Sequence, residues 1–98
     1  MNRKIILNFL KTNKKYLHSH YNITKIGLIG SFARNEENDN SDIDFLIEFE
    51  SETQDIFNLK LDLRKYLKSN LNRDIDICRE KYLKPYIKDY ILDEVLYA

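Results

Sequence analysis

Gly30-Ser31-Phe32-Ala33-Arg34, followed after a polar loop by Asp42-Ile43-Asp44, is the stretch on which the reading of this chain turns. The residues before it, Lys25-Ile26-Gly27-Leu28-Ile29, form a short and mostly apolar run that reads as a buried strand passing into a helix start. Gly30 lets backbone approach a ligand closely because no Cβ intrudes. Ser31 suits an N-cap, where its hydroxyl would stand beside the free N–H groups of a first turn. Such a corner attracts phosphate.

After the loop, Asp42-Ile43-Asp44-Phe45-Leu46-Ile47-Glu48-Phe49 reads as a second strand. A side-chain period of two sends Asp42 and Asp44 to one side and Ile43 to the other. Two ionised carboxylates placed so close disfavour one another unless a cation or hydrogen-bond donors compensate. Mg²⁺ resolves the conflict, because it takes oxygen ligands and is held by one or two carboxylates together with substrate phosphates. A third carboxylate is expected opposite the pair, to complete the metal shell or to take a proton from an attacking hydroxyl. The alternating segment Arg73-Asp74-Ile75-Asp76-Ile77-Cys78 supplies two candidates, Asp74 and Asp76, and spacing alone does not choose between them.

These motifs, with Ile91-Leu92-Asp93-Glu94-Val95 near the end, resemble the minimal nucleotidyltransferase (MNT) family of the polymerase-β-like superfamily over essentially the whole chain. The resemblance implies that Gly30 and Ser31 contact the triphosphate of ATP, that Asp42 and Asp44 bind Mg²⁺, and that Asp76 rather than Asp74 is the third acid. It also implies transfer of AMP to a hydroxyl with release of pyrophosphate. Arg34 has two open roles, holding phosphates or pinning the loop through a loop acid. Where family members often carry Gly after the Ala-Arg pair, this chain has Asn35, one of the few other residues that tolerate positive φ.

Ninety-eight residues, 43% of them hydrophobic, supply one core and one domain over residues 1–98. A module of this size has no room for an acceptor-binding domain of its own. Its acceptor surface is expected from another molecule or a second copy. The resemblance implies a partner toxin, a HEPN-domain ribonuclease whose tyrosine is adenylylated, which would make this chain an antitoxin. Two alternatives are silencing of the partner by occlusion without catalysis, and modification of a small hydroxylated molecule such as an aminoglycoside. The second usually needs an added helical domain.

The sequence holds no apolar run of about 18 residues and no signal-peptide pattern, so a cytoplasmic location is expected. Net charge is zero but unevenly spread: residues 1–35 carry seven Lys or Arg and no acid, whereas residues 36–62 carry ten acids and only Lys60. Lys25 and Arg34 are thereby expected near the phosphate corner, and Lys4, Lys11, Lys14 and Lys15 on the solvated face of a helix. A basic domain with aromatic stacking platforms is missing, which disfavours a polynucleotide substrate. Cys78 is expected to be a buried small hydrophobe.

Periodicity predicts an N-terminal helix over about residues 2–18, a second from near Thr53 through Leu67, and a last one opened by Pro85. Tyr66 and Tyr90 fall on apolar stripes and are expected in the core, while Tyr82, Tyr86 and Tyr97 could face a partner. Helices alternating with three or more strands give an α/β class, a small mixed sheet flanked by helices.

Overall fold

Alternation of apolar residues draws Ile23–Ile29 (β1) and Ile43–Phe49 (β2) into an antiparallel pair in which Ile29 faces Asp44, Gly27 faces Leu46 and Lys25 faces Glu48. The computed structural model describes residues 1–98. Ile75–Arg79 (β3) runs parallel to β2, with Ile43 opposite Ile75 and Asp44 opposite Asp76. Leu96–Tyr97 (β4) returns antiparallel to β1, so the strand order is β3-β2-β1-β4. The sheet is mixed, and with its helices the class is α/β, as expected.

Five helices accompany it: Arg3–Thr12 (α1), Lys14–Tyr21 (α2), Gly30–Ala33 (α3), Ile56–Leu71 (α4) and Pro85–Glu94 (α5). The expected single N-terminal helix is thus two. Asn13 breaks it: its backbone N–H closes the last helical bond to the Phe9 carbonyl at 3.0 Å, and its side-chain amide donates to the same carbonyl at 2.8 Å, a local bond that competes with continuing the helix. α2 and α4 each end on an asparagine in the left-handed region, Asn22 and Asn72. α4 begins at Ile56, a few residues later than expected, and Asp55 precedes it in the left-handed region.

The period of two sorts the sheet into unlike faces. Ile26, Leu28, Ile43, Phe45, Ile47, Ile75 and Ile77 pack with Ile6 and Leu10 of α1, Leu17 of α2, and Leu63, Leu67 and Leu71 of α4. Burying each such aliphatic side chain contributes roughly 1.5–3 kcal/mol. The opposite face carries Gly27, Ile29, Asp44, Leu46, Glu48, Asp76 and Cys78. It is in part covered by the C-terminal segment, where Val95 and Tyr97 lie over Gly27 so closely that an added Cβ would stand 2.5 Å from Val95 Cγ2 and 2.9 Å from Tyr97 Cδ1.

α5 has no buried residue, and Tyr90 is 71% exposed rather than in the core. Of the apolar residues of α5, Ile91 and Leu92 are half-buried, while Tyr86, Ile87 and Tyr90 face outward, because α1, α2 and α4 pack against the other face of the sheet. Tyr82 and Tyr86 are exposed beside it. Tyr66 is half-buried, stacked on Tyr16 at 5.0 Å and donating its hydroxyl to Asn13. Lys4, Lys11, Lys14 and Lys15 are exposed, as expected. No helix is long and apolar enough to cross a membrane.

Candidate active site

The antiparallel and parallel pairings bring three strand ends together: the C-terminal end of β1 and the N-terminal ends of β2 and β3. Gly30 turns the chain off β1 at φ +76, in the region that L side chains rarely adopt. A Cβ at this position would collide with the Asp44 carboxylate. The glycine therefore does two jobs, permitting the turn and letting Asp44 lie against the backbone. Ser31 does not cap the helix as expected: α3 begins at Gly30, Ile29 holds the cap position, and no side chain caps it. The Ser31 carbonyl accepts from Glu36 N–H at 2.8 Å, which folds the start of the loop back onto the turn. Asn35 takes positive φ, 61°, as its place in the turn requires.

Asp44 and Asp76 are register partners on the same face of adjacent parallel strands. Burial, then the charges of Asp76 and Asp42, push the Asp44 carboxyl up to about 6, against a smaller opposing effect of Arg34. Cys78 sits half-buried on the same face as Asp44 and Asp76 rather than within the core as expected, and burial, then the charges of Asp76 and Asp44, raise its thiol. Asp42 lies just before β2 and is exposed. Asp74 is engaged elsewhere: it pairs with Lys68 of α4 at 2.9 Å, while its carbonyl accepts from Ile43 N–H. Of the two acids that spacing left open, Asp76 stands beside Asp44 and Asp74 does not.

The three carboxylates do not close into a cage. No three acidic, histidine or cysteine side chains stand close enough to hold one ion among themselves. The donor set still fits Mg²⁺, which takes one or two protein carboxylates and completes its shell with phosphate oxygens and water. Burial raises the Asp44 carboxyl most and the charges of Asp76 and Asp42 add to it, and a bound cation would favour the ionised form against both. The largest hollow, about 580 Å³ between α4 and β3, is lined by apolar residues such as Ile56, Phe57 and Leu83 and by none of the acids. Asp42 instead lines a separate polar hollow of about 300 Å³ with Asp74, Lys68 and Arg73, whereas Asp44 and Asp76 line none of the hollows.

Cations arrange the surrounding loop. Arg34 donates Nε to Glu36 at 3.2 Å and Nη1 to both carboxylate oxygens of Glu94, at 3.2 and 3.1 Å. Pairing with the loop acid Glu36 is one of its two expected roles. Lys25 is not at the corner: it lies toward the other end of β1, bound to Glu80 at 3.0 Å and over the Tyr97 ring. Three residues of the site went unread in the sequence. Arg73 donates to the Asn38 and Ser41 carbonyls, at 3.1 and 2.9 Å, and fixes the acidic loop from beneath. Arg3 donates to the Ala33 carbonyl at 2.9 Å, at the end of α3. Glu94 accepts from Gly30 N–H at 2.7 Å. Only Glu94 left a signal, since an acid in the last turn of a helix opposes the macrodipole and calls for a partner.

The sequence belongs to the nucleotidyltransferase domain family, whose profile matches residues 4–98. Among its relatives, a Methanocaldococcus jannaschii protein named as a candidate protein adenylyltransferase is 34% identical over 94 residues, covering 95% of this chain and 94% of its own length. The protein adenylyltransferase MntA of Thermococcus cleftensis is 33% identical over 93 residues, covering 95% and 92%. In fold, the chain superimposes on a candidate minimal nucleotidyltransferase with TM-score 0.80 at 24% identity, covering 98% and 95% of the two chains. It also superimposes on a chain of a toxin–antitoxin assembly with AMP-PNP, with TM-score 0.67 at 21% identity and coverage of 99% and 72%. The fold is that of a minimal nucleotidyltransferase.

Proposed function

We propose that this chain transfers AMP from ATP to a hydroxyl of a partner protein, a tyrosine of a HEPN-type toxin, and so acts as an antitoxin by adenylylation. The observation that carries this reading is the Asp44–Asp76 register pair beside the Gly30 turn, with one carboxyl displaced far above its ordinary value. Relatives named protein adenylyltransferase and a shared fold with a toxin–antitoxin assembly holding an ATP analogue support the reaction class and the partner.

In this reading the triphosphate lies against the turn at Gly30 and Ser31, where Gly30 N–H is held by Glu94 and only the donors beyond it are open, and Arg34 steadies the phosphates from the side. Asp42, Asp44 and Asp76 would hold Mg²⁺ not as a three-carboxylate cage but together with phosphate oxygens, and the metal would supply charge neutralisation for the phosphates and the leaving group. Asp76, exposed at the strand edge, accepts the proton of the acceptor hydroxyl. The acceptor oxygen bonds to the α-phosphorus as the bond to the bridging oxygen breaks, and pyrophosphate leaves. Most of the acceleration comes from positioning and electrostatics, as is general for phosphate chemistry. In this reading the acceptor hydroxyl is carried by another molecule.

Incubation with ATP labelled at the α-phosphate, Mg²⁺ and the product of the neighbouring gene tests the reading. Label should pass to that product, and Asp44→Asn and Asp76→Asn should each reduce transfer by at least about 100-fold, a size typical for loss of an acid–base or metal-binding group. Asp74→Asn should transfer normally. Transfer that persists in the first two variants would reject the assignment, and protection from the partner without transfer would favour occlusion.

A further inference from the structure

We infer that Glu94 is a positioning residue for the nucleotide site, holding the Gly30 corner and the Arg34 guanidinium in the arrangement that receives phosphate. This rests on the reading of Gly30, Ser31 and Arg34 as the phosphate seat. Three observations on the fold carry it.

The first is register. β4 pairs Leu96 with Leu28 and Tyr97 with Gly27, so a continued antiparallel ladder would set residue 94 opposite residue 30. The chain is still helical at 94 and offers no strand carbonyl there. The Glu94 carboxylate takes that place and accepts from Gly30 N–H at 2.7 Å. A side chain thereby completes the sheet edge at the residue whose conformation the corner depends on.

The second is the cost of keeping an acid here. Glu94 lies at the helix end where the macrodipole repels negative charge, and it adds to the carboxylate field around Asp44. Yet its side chain is only 14% exposed, whereas its partner Arg34 is 40% exposed. A solvated ion pair would lie at the surface. This one is drawn inward by charge-assisted bonds to two separate groups of the site.

The third is the geometry of Arg34. Nε goes to Glu36 and Nη1 to both oxygens of Glu94, while Nη2 makes no hydrogen bond within the chain. Held from two sides, the guanidinium has one terminal nitrogen left to offer. Glu94 makes no contact with a reacting atom in this scheme and acts through Gly30 and Arg34. It also ties the nucleotide site to the C-terminal helix, whose outer surface exposes Tyr86 and Tyr90.

The test compares Glu94→Gln, Glu94→Ala and wild type. Binding of α,β-methylene ATP with Mg²⁺ is measured by calorimetry, KM for ATP and kcat by label transfer to the partner, and the nucleotide-free melting midpoint by scanning calorimetry. Gln can still accept from Gly30 N–H but loses the ion pair. It should weaken binding and raise KM by at least about tenfold, one charge-assisted bond's worth, with kcat within threefold and the midpoint nearly unchanged. Ala should weaken binding further. Because Glu94 acts in part through Arg34, Glu94→Gln should cost much less affinity in an Arg34→Ala background than alone. Unchanged affinity in Glu94→Gln, tighter binding, or full additivity with Arg34→Ala would each overturn the inference. If wild type binds the analogue but transfers nothing while Glu94→Gln binds it weakly, only the transfer reading fails. If wild type transfers and Glu94→Gln behaves alike, only the role of Glu94 fails. If wild type does not bind the analogue, both fall.

Discussion

Asp44 and Asp76 stand opposite one another across the parallel ladder of β2 and β3, and Asp44 is at the same time pressed against the backbone of Gly30. The arrangement sets two carboxylates side by side on a sheet face with little positive charge to balance them. Its effects should be measurable in the folded chain before any reaction is assayed.

The first concerns pH. The Asp44 carboxyl titrates at about 6 in the folded chain, against an ordinary value of 3.8. Between those values the folded state keeps a proton that the unfolded state has released, so this group's contribution to stability falls as pH rises through the window and is restored on acidification. Asp44→Asn removes that dependence. At about pH 7.5 without divalent cations it should stabilise the chain by about 1 kcal/mol, a value discounted for solvent screening, and raise the melting midpoint by roughly 4–8 °C. Mg²⁺ with ATP should raise the wild-type midpoint near neutral pH and do so less at about pH 5, where protons compete for the carboxylate. A midpoint lowered by Asp44→Asn would contradict the assignment.

The second concerns Gly30. Alanine there must adopt φ +76 and also displace the Asp44 carboxylate. The left-handed backbone alone costs about 1–2 kcal/mol, and the collision adds to it. Gly30→Ala should unfold at lower denaturant concentration and lose nucleotide binding. If Asp44→Asn were combined with it, the loss of stability should not be relieved, because the amide is as large as the carboxylate.

The third concerns Arg73, whose Nη1 bonds two loop carbonyls and whose guanidinium lies 5.3 Å from the centre of the buried Phe32 ring. Arg73→Ala should cost roughly 1–3 kcal/mol, since it removes charge-assisted bonds to carbonyls. It should also speed proteolysis between Asn35 and Ser41. Protease cleavage at the wild-type rate would show that the loop is held by its own turns.

The alternation in Ile43-Asp44-Phe45 and Ile75-Asp76-Ile77 was legible because it is local and has the period of the sheet, whereas Asp42 and Asp74 fall just before the strands, and Asp74 turns to Lys68 of α4. Spacing left Asp74 and Asp76 open and only the family resemblance favoured Asp76; that Asp76 alone stands beside Asp44 depends on strand register and on Lys68 reaching Asp74 from α4, neither of which spacing encodes. Glu94 and Gly30 are 64 residues apart in the chain, and their bond follows from where β4 returns to β1. Lys25 was misplaced for a related reason: charge counted along the chain does not say at which end of a strand a residue lies. Tyr90 has a helical stripe around it, but a stripe predicts burial only where another layer is present to cover it. The break at Asn13 was missed because its apolar neighbours keep helical spacing on both sides.

The C-terminal unit is joined to the sheet by a strand of two residues and follows a helix without a buried side chain. Its hold on the sheet rests on the bonds of Glu94 to Gly30 and Arg34 and on Val95 and Tyr97 over Gly27. Local opening of this segment would break those contacts together and bare the outer hydrogen-bonding edge of β1, with early amide exchange as its sign. A partner that clamps the last helix in place would therefore slow exchange in the segment and along that edge, coupling occupancy of the outer surface to order in the corner at Gly30.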